Sequence, residues 1–424
     1  MRRFLAQLAL AFAAMLAAVA TLNYCVDPYR IWQPAIGLSA QSVRPRAVQQ
    51  VALLKARGIE RTRSRTVVLG NSRAEIGFDP RSDAWPPALL PVYNAAIPGS
   101  TVRASTEYLE GALAAGGVST VIVGLDFPDF LTEPDATSAD GDPDRAPRAF
   151  QHGWRRAYAD LQIVLSLDTL FDAIVTLASR DDPDSADITA DGFNPLRQYN
   201  LYARQEGYGA IFLQRDSENA RTYARLPRSI FTAEGTSDAW RELDRFLEVA
   251  KRHRIDVKFV IYPYHAHILE MFREAGLEPA FEAWKEELVR VIEPGDPADA
   301  RTCTLWDFSG YNRYAREPVP RVGDKDAAVH WYWESGHFKH ELGDLMLARM
   351  FGSGDASFGT CLTATNVADN IRRMRGGHEE YVRDDADDSA TMADLVRART
   401  HNDDALTPAL SRTPERVPER REGG

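Results

Sequence analysis

The sequence predicts an α/β protein: a central parallel sheet covered by helices on both faces, preceded by an apolar N-terminal helix and followed by a polar tail. Three observations predict it. Short apolar runs rich in β-branched or aromatic residues occur at Thr66–Leu69, Val92–Ala96, Thr120–Leu125, Val257–Tyr262 and Thr304–Phe308, each bounded by turn residues as buried strands are. Between them, Ala104–Ala115, Ser237–His253, His265–Ala275 and Pro279–Ile292 carry apolar residues at helical spacing. Strand and helix therefore alternate, and a helical crossover returns the chain parallel to the strand before it while covering one face of the sheet.

The chain has 424 residues, 44% of them hydrophobic and 26% charged, enough to bury a large core. A net charge of −11, with no basic stripe interleaved with aromatics, argues against a nucleic-acid partner. At the start, Met1-Arg2-Arg3 precedes an apolar run, Phe4 to Leu22, whose one polar residue before Thr21 is Gln7. Its length of roughly twenty residues suits a membrane span, and the arginines favour a cytoplasmic N-terminus with the body exported. The run is longer than the apolar part of a usual signal peptide, which favours an uncleaved inner-membrane anchor; Ala18-Val19-Ala20 fits a cleavage site and supplies the competing expectation of a soluble periplasmic body.

The organisation expected is an anchor over 1–24, a connector over 25–64, the α/β domain over 65–352 and an extension over 353–424. In the connector, Asp27-Pro28-Tyr29-Arg30-Ile31-Trp32 reads as a turn with aromatics that rest at the membrane surface or pack on the body. Residues 132–236 read as an insertion or lid, with two helices near Trp154–Leu177 and an irregular aromatic stretch around Tyr199–Phe212. From about Gly376 onward Arg, Asp, Glu, Thr and Pro dominate, which predicts disorder. Cys303 and Cys361 are the pair expected to be oxidised if they meet in space, since exported proteins keep disulfides; Cys25 lies beside the membrane, and no cysteine spacing suggests zinc.

The segment Thr66-Val67-Val68-Leu69-Gly70-Asn71-Ser72-Arg73 is a strand that stops at a tight turn and presents a hydroxyl at the carboxyl edge of the sheet, where open α/β folds bind ligands. Far downstream, Trp333-Glu334-Ser335-Gly336-His337-Phe338 holds a histidine with a carboxylate three residues before it. A serine hydroxyl becomes nucleophilic when an imidazole takes its proton and a carboxylate orients that imidazole. Each residue also has a purely structural use: Ser72 caps the next helix, His337 hydrogen-bonds a carbonyl, Asp126 fixes a turn. His337, His340 and Asp344 sit at spacings that allow a metal on a helix face but match no strong zinc signature.

Four blocks in order, Gly70-Asn71-Ser72-Arg73, Asn94-Ala95-Ala96-Ile97-Pro98-Gly99, Gly124-Leu125-Asp126-Phe127 and Glu334-Ser335-Gly336-His337, resemble those of the SGNH (GDSL-like) hydrolases. With the N-terminal apolar segment and Tyr262-Pro263-Tyr264-His265-Ala266-His267, the chain is most similar to the envelope branch that includes alginate O-acetylation proteins and the teichoic-acid D-alanylation protein. The resemblance implies a three-layer α/β/α sandwich with Ser72 as nucleophile, His337 as base and Glu334 as acid. The family usually has Asp at that last place, and Asp307 and Asp326 are the alternative acids. It implies an oxyanion hole from the Ser72 and Gly99 backbone N–H groups, with Asn71, Arg73 and His265 as candidate substrate contacts. Asp126 stands where many relatives have an Asn donor; an ionised carboxylate cannot donate, which points it to a binding or structural role. The activity implied is cofactor-free acyl transfer through an acyl-serine, as an esterase or O-acetyltransferase acting on an envelope or secreted polysaccharide. A transferase would need a separate membrane protein to deliver acyl groups. The alternative is a non-catalytic scaffold that holds a glycan or a partner.

Overall fold

A computed structural model describes residues 1–39, 41–136, 150, 153–292 and 304–410. The chain is mixed α/β around a mostly parallel sheet. Strands β1 (Thr66–Leu69), β2 (Val92–Asn94), β3 (Thr120–Leu125), β4 (Asp256–Ile261) and β5 (Leu305–Asp307) are parallel, in spatial order β2-β1-β3-β4-β5. All five coincide with the apolar runs of the sequence. Two further pairings were not expected. β6 (Tyr332–Glu334) and β7 (His337–Phe338) form a separate antiparallel hairpin, and β8 (Thr360–Cys361) closes the sheet antiparallel to β5. Each has two or three residues, too few for a period to register.

In β1, β3 and β4 nearly every residue is buried, which is why these strands read as continuous apolar runs and not as alternations. The register Val67↔Val121 and Val123↔Phe259 aligns their carboxyl ends on one edge. At the end of β3, the Phe127 ring lies 5.2 Å from Phe272, 5.1 Å from Phe281 and 5.7 Å from Trp284. Aromatic pairs of this kind add about 0.5–1.5 kcal/mol each beyond their buried area, so the strand end is held firmly.

The helices before β3 are α1 (Arg2–Val26), α2 (Val51–Thr62), α3 (Ser72–Gly77) and α4 (Val102–Ala115). α1 is the one single helix among the described residues long and apolar enough to cross a membrane, with mean hydropathy 2.1. The connector does not form a separate linker. Leu54, Ala56 and Ile59 of α2 are core residues, and Arg30 pairs with Asp187 at 3.0 Å with both side chains buried. Charged residues of this stretch are neutralised inside the fold, Lys55 by Glu75 as Arg30 is by Asp187.

The insertion is helical: α5 (Gly153–Val164), α6 (Leu167–Ser179), α7 (Gln198–Glu206) and α8 (Tyr208–Tyr223). The stretch Tyr199–Phe212, expected to be irregular, is α7 and the start of α8, broken at Gly207 with φ 81°. Burial of Tyr199, Tyr208, Ile211 and Phe212 outweighs the weak helix propensity of aromatic residues. α9 (Asp238–His253), α10 (Ala266–Glu274) and α11 (Glu278–Val291) lie close to their expected limits, followed by α12 (His340–Met350).

The tail is ordered further than its composition suggests. α13 (Val367–Asp384) and α14 (Ala386–Leu410) replace the disorder expected from 376, while residues 411–424 lie outside the described residues. Few apolar residues suffice because they are correctly spaced. Val367, Ile371, Met374 and Tyr381 share a buried face, and Met392, Ala393 and Val396 bury another. Cys361 is disulfide-bonded and Cys25 is free; Cys303 lies outside the described residues.

Lys285 of α11 and Asp307 of β5 form an ion pair at 2.9 Å with both side chains fully buried. Removing one partner of such a pair strands a buried charge. Lys285→Met is expected to cost about 3–5 kcal/mol in urea denaturation, and the double change Lys285→Met, Asp307→Leu to restore most of it.

Candidate active site

Ser72 is the first residue of α3. Gly70 before it has φ 133°, and a Cβ there would stand 2.7 Å from the Tyr262 hydroxyl, so the turn requires glycine. Asn71 caps the helix, its Oδ1 accepting the Arg73 N–H at 3.0 Å. Six residues cannot hold a helix by themselves. Asn94 of β2 donates through Nδ2 to the carbonyls of Ala74 at 2.9 Å and Phe78 at 2.8 Å, closing the far end. Glu75 forms an ion pair with Lys55 of α2 at 3.0 Å, both fully buried, and accepts from Asn194 Nδ2 at 3.0 Å. Lys55 also donates to the carbonyls of Asn94, at 3.1 Å, and Gly192.

The β6–β7 hairpin carries the other half. Glu334 ends one strand and His337 opens the next, with only Ser335 and Gly336 between, which brings the Glu334 Oε1 onto His337 Nδ1. Glu334 Oε2 accepts the Gly336 N–H at 2.7 Å. His337 Nε2 meets Ser72 Oγ at 2.8 Å. The hairpin docks because Phe338 packs edge-on against Phe78 and because α12 approaches α3 so closely that a Cβ on Gly343 would collide with the Gly77 carbonyl. Serine, histidine and carboxylate thus form one hydrogen-bonded line, the geometry in which an imidazole can accept a hydroxyl proton.

Glu334 is buried while the His337 side chain keeps 27% of its exposure, so the line runs from interior to surface. Burial by itself would raise the Glu334 carboxyl. His337, the Gly336 N–H and Arg215 outweigh it and hold the group below the usual glutamate value, ionised at neutral pH. Sequence reasoning missed this supporting set from the insertion. Arg215 Nη2 donates to the Tyr199 hydroxyl at 2.9 Å, Tyr199 packs on Trp333, and Asn219 Nδ2 donates to Ser335 Oγ at 3.3 Å. Lys55, Glu75 and Asn194 were missed as well, since nothing local in the sequence pairs a lysine with a glutamate twenty residues on.

The other expected residues separate into those near the serine and those apart from it. Asp126, at the end of β3, accepts from Asn71 Nδ2 at 2.7 Å, from Arg73 Nη1 and from the Tyr264 hydroxyl at 2.7 Å. It is a buried hub that positions Asn71 and Arg73 rather than an oxyanion donor. Arg73 lies over the Tyr264 ring at 5.4 Å. Gly99, with φ 68°, is in the exposed turn after β2, and that turn is tied to the serine turn by two bonds onto the Gly70 carbonyl, from Ile97 N–H at 2.9 Å and Ser100 Oγ at 3.0 Å. Asp307 is taken by Lys285, and Asp326 sits in an exposed loop, so neither replaces Glu334. His340 stands 3.7 Å from both Asp344 and Glu341, while both ring nitrogens of His337 are engaged by Ser72 and Glu334.

His265 is a correction. Expected to touch substrate, it is buried with both nitrogens used: Nδ1 accepts the His267 N–H at 3.2 Å as the cap of α10, and Nε2 donates to the Glu317 carbonyl at 3.0 Å. Burial, then the charge of His267, pushes it down to about 3. The turn after β4 points its histidines inward because α10 begins there.

His267 lies between two carboxylates, Asp216 of α8 at 2.8 Å from Nδ1 and Asp388 of α14 at 3.0 Å from Nε2. Burial disfavours its charge, but the two acids outweigh burial and raise it to about 10.

No family model matches the chain, and no curated protein matches it in sequence.

A group whose pKa is raised in the folded state stabilises that state while it is protonated. The His267 contribution is therefore full below its ordinary value of 6.5 and is lost as pH rises through about 10. Thermal midpoints are expected to fall between pH 7 and 10 in the unmodified protein, with a smaller fall over the same window in His267→Gln.

Proposed function

We propose that the protein is a serine acyl-transfer enzyme of the SGNH (GDSL-like) kind, with the three-layer α/β/α arrangement of that superfamily. The observation that carries the reading is the Ser72 Oγ to His337 Nε2 contact of 2.8 Å, backed by an ionised, buried Glu334 on Nδ1.

In this reading Ser72 Oγ attacks an acyl carbonyl as His337 Nε2 takes its proton. The tetrahedral oxyanion is met by the backbone N–H of Ser72, unbonded in the first turn of α3, and by that of Gly99. Glu334 stays ionised and stabilises the imidazolium. Collapse breaks the ester C–O bond, and His337 returns the proton to the departing alkoxide, leaving acyl-Ser72 and an alcohol. In the second half His337 deprotonates water or a sugar hydroxyl. The resulting attack releases the acyl group as an acid or as a new ester and restores the proton to Ser72. The substrate or acceptor proposed is an envelope or secreted polysaccharide. The body is held outside the inner membrane by α1 with its N-terminus cytoplasmic, and a membrane protein supplies acyl groups when the reaction is a transfer.

The test is turnover of p-nitrophenyl acetate by the full chain in detergent, with mass spectrometry of the trapped protein. Ser72→Ala and His337→Ala are expected to lose at least about 10³-fold in kcat/KM, and the acetyl adduct to sit on Ser72. Glu334→Gln, which keeps the hydrogen bond but not the charge, is expected to fall by about 10²-fold or more. Folded protein with neither turnover nor adduct would overturn the enzymatic reading in favour of a glycan-holding scaffold.

A further inference from the structure

Helices α5 and α6 follow one another with a bend of 61°, and one apolar face of the pair is uncovered among the described residues. On α5 the residues are Trp154, Tyr158 and Leu161, and on α6 they are Leu167, Phe171 and Ile174, each more than half exposed. Both sets follow i, i+4, i+7 spacing, which places each on one side of its helix. A contiguous exposed patch of large apolar side chains marks a contact surface. Its direction is fixed from behind. On α5, Arg156 pairs with Glu60 at 2.8 Å and Asp160 with Arg57 at 3.2 Å. On α6, Asp172 accepts from the Tyr29 hydroxyl at 2.7 Å and pairs with Arg46 at 3.2 Å.

What covers the patch follows from α1, which packs on both helices. Asn23 of α1 is buried and donates through Nδ2 to the carbonyls of Val164 at 2.8 Å and Ser166 at 3.1 Å, at the bend between α5 and α6. Residues of α1 before Leu16 stand clear of the body, whereas Leu16, Val19 and Ala20 are half-buried. The apolar run of α1 needs its full length, to Leu22, to match a hydrocarbon core of about 30 Å. The overlap from Leu16 to Leu22 is about 9 Å of helix. A body fastened to a spanning α1 therefore sinks its adjoining surface about 9 Å, within the depth of about 5–10 Å at which amphipathic helices lie in a bilayer. Arg155, stacked on Trp154 at 5.6 Å, supplies the cation and aromatic pair suited to headgroup level.

We propose that the bent α5–α6 pair is embedded in the lipid leaflet from which α1 emerges, with Leu161, Phe171 and Ile174 among the acyl chains and Trp154 at headgroup level. The proposal rests on α1 as a retained span and is independent of the ester chemistry. It gives the protein one fixed orientation on the membrane.

The test uses the full chain in vesicles of phosphatidylethanolamine and phosphatidylglycerol, in a Cys25→Ser background. Bimane is attached at Phe171→Cys, Ile174→Cys or, as a control on an exposed loop, Val322→Cys. Nitroxides on lipid acyl chains are expected to quench positions 171 and 174 several-fold more than 322, and aqueous iodide to show the reverse order. Iodide quenching at 171 and 174 equal to that at 322 would overturn the proposal, as would protection from both quenchers, the mark of a protein partner on the patch. Loss of the chain from the vesicles in alkaline carbonate would overturn the span and the embedding of α5 and α6 together, while p-nitrophenyl acetate turnover reads the catalytic proposal separately.

Discussion

The arrangement at Ser72 depends on an ion pair that never meets solvent. Lys55 and Glu75 are fully buried, and every proton of the ammonium has an acceptor: the Glu75 carboxylate and the carbonyls of Asn94 and Gly192. Burying two charges costs several kcal/mol each, and their attraction offsets this only where the remaining hydrogen-bonding capacity is met. Here it is met by groups from four places in the chain, namely α2, α3, β2 and the middle of the insertion. The pair specifies position more than it adds stability. A helix of six residues has one place to sit, and its first hydroxyl is aimed accordingly.

The histidine side is built differently. Its precision comes from a two-residue hairpin connection that keeps carboxylate and imidazole on neighbouring strands. In that setting a glutamate suits better than a shorter acid, because its two oxygens reach both the His337 ring and the Gly336 N–H. Arg215 and Asn219 brace the same turn from α8. Residues that resemble a lid in sequence therefore act as the wall behind the acid. Both long polar stretches, connector and insertion, are parts of the site's frame.

The sequence was informative wherever a local pattern carried the structure. The five parallel strands and the helices α4, α9, α10 and α11 follow from periodicity, Ser72 from a hydroxyl at the end of an expected strand, and Glu334 and His337 from residue type and their three-residue spacing. What stayed hidden was carried by partners remote in the chain. Lys55 reads as a surface lysine until Glu75 is placed against it. His265 reads as a site residue until the start of α10 turns it inward. The tail reads as disordered because composition averages over residues, whereas Tyr381, Met392 and Val396 each find a prepared place on the body. Asp126 was half legible: its chemistry excluded donation, but only the fold supplied Arg73 and Tyr264 as its partners.

The distance along the chain between Ser72 and His337 has a further consequence. The two are 265 residues apart, and β1, β2 and β3 pair with one another long before the β6–β7 hairpin has been synthesised. Contacts between segments so far apart along the chain form more slowly than those within β1, β2 and β3, so the β6–β7 hairpin is expected to dock after them. Until the hairpin docks, Ser72 has no imidazole beside it. The Ser72–His337–Glu334 line is therefore completed only when residues from both ends of the α/β body are in place.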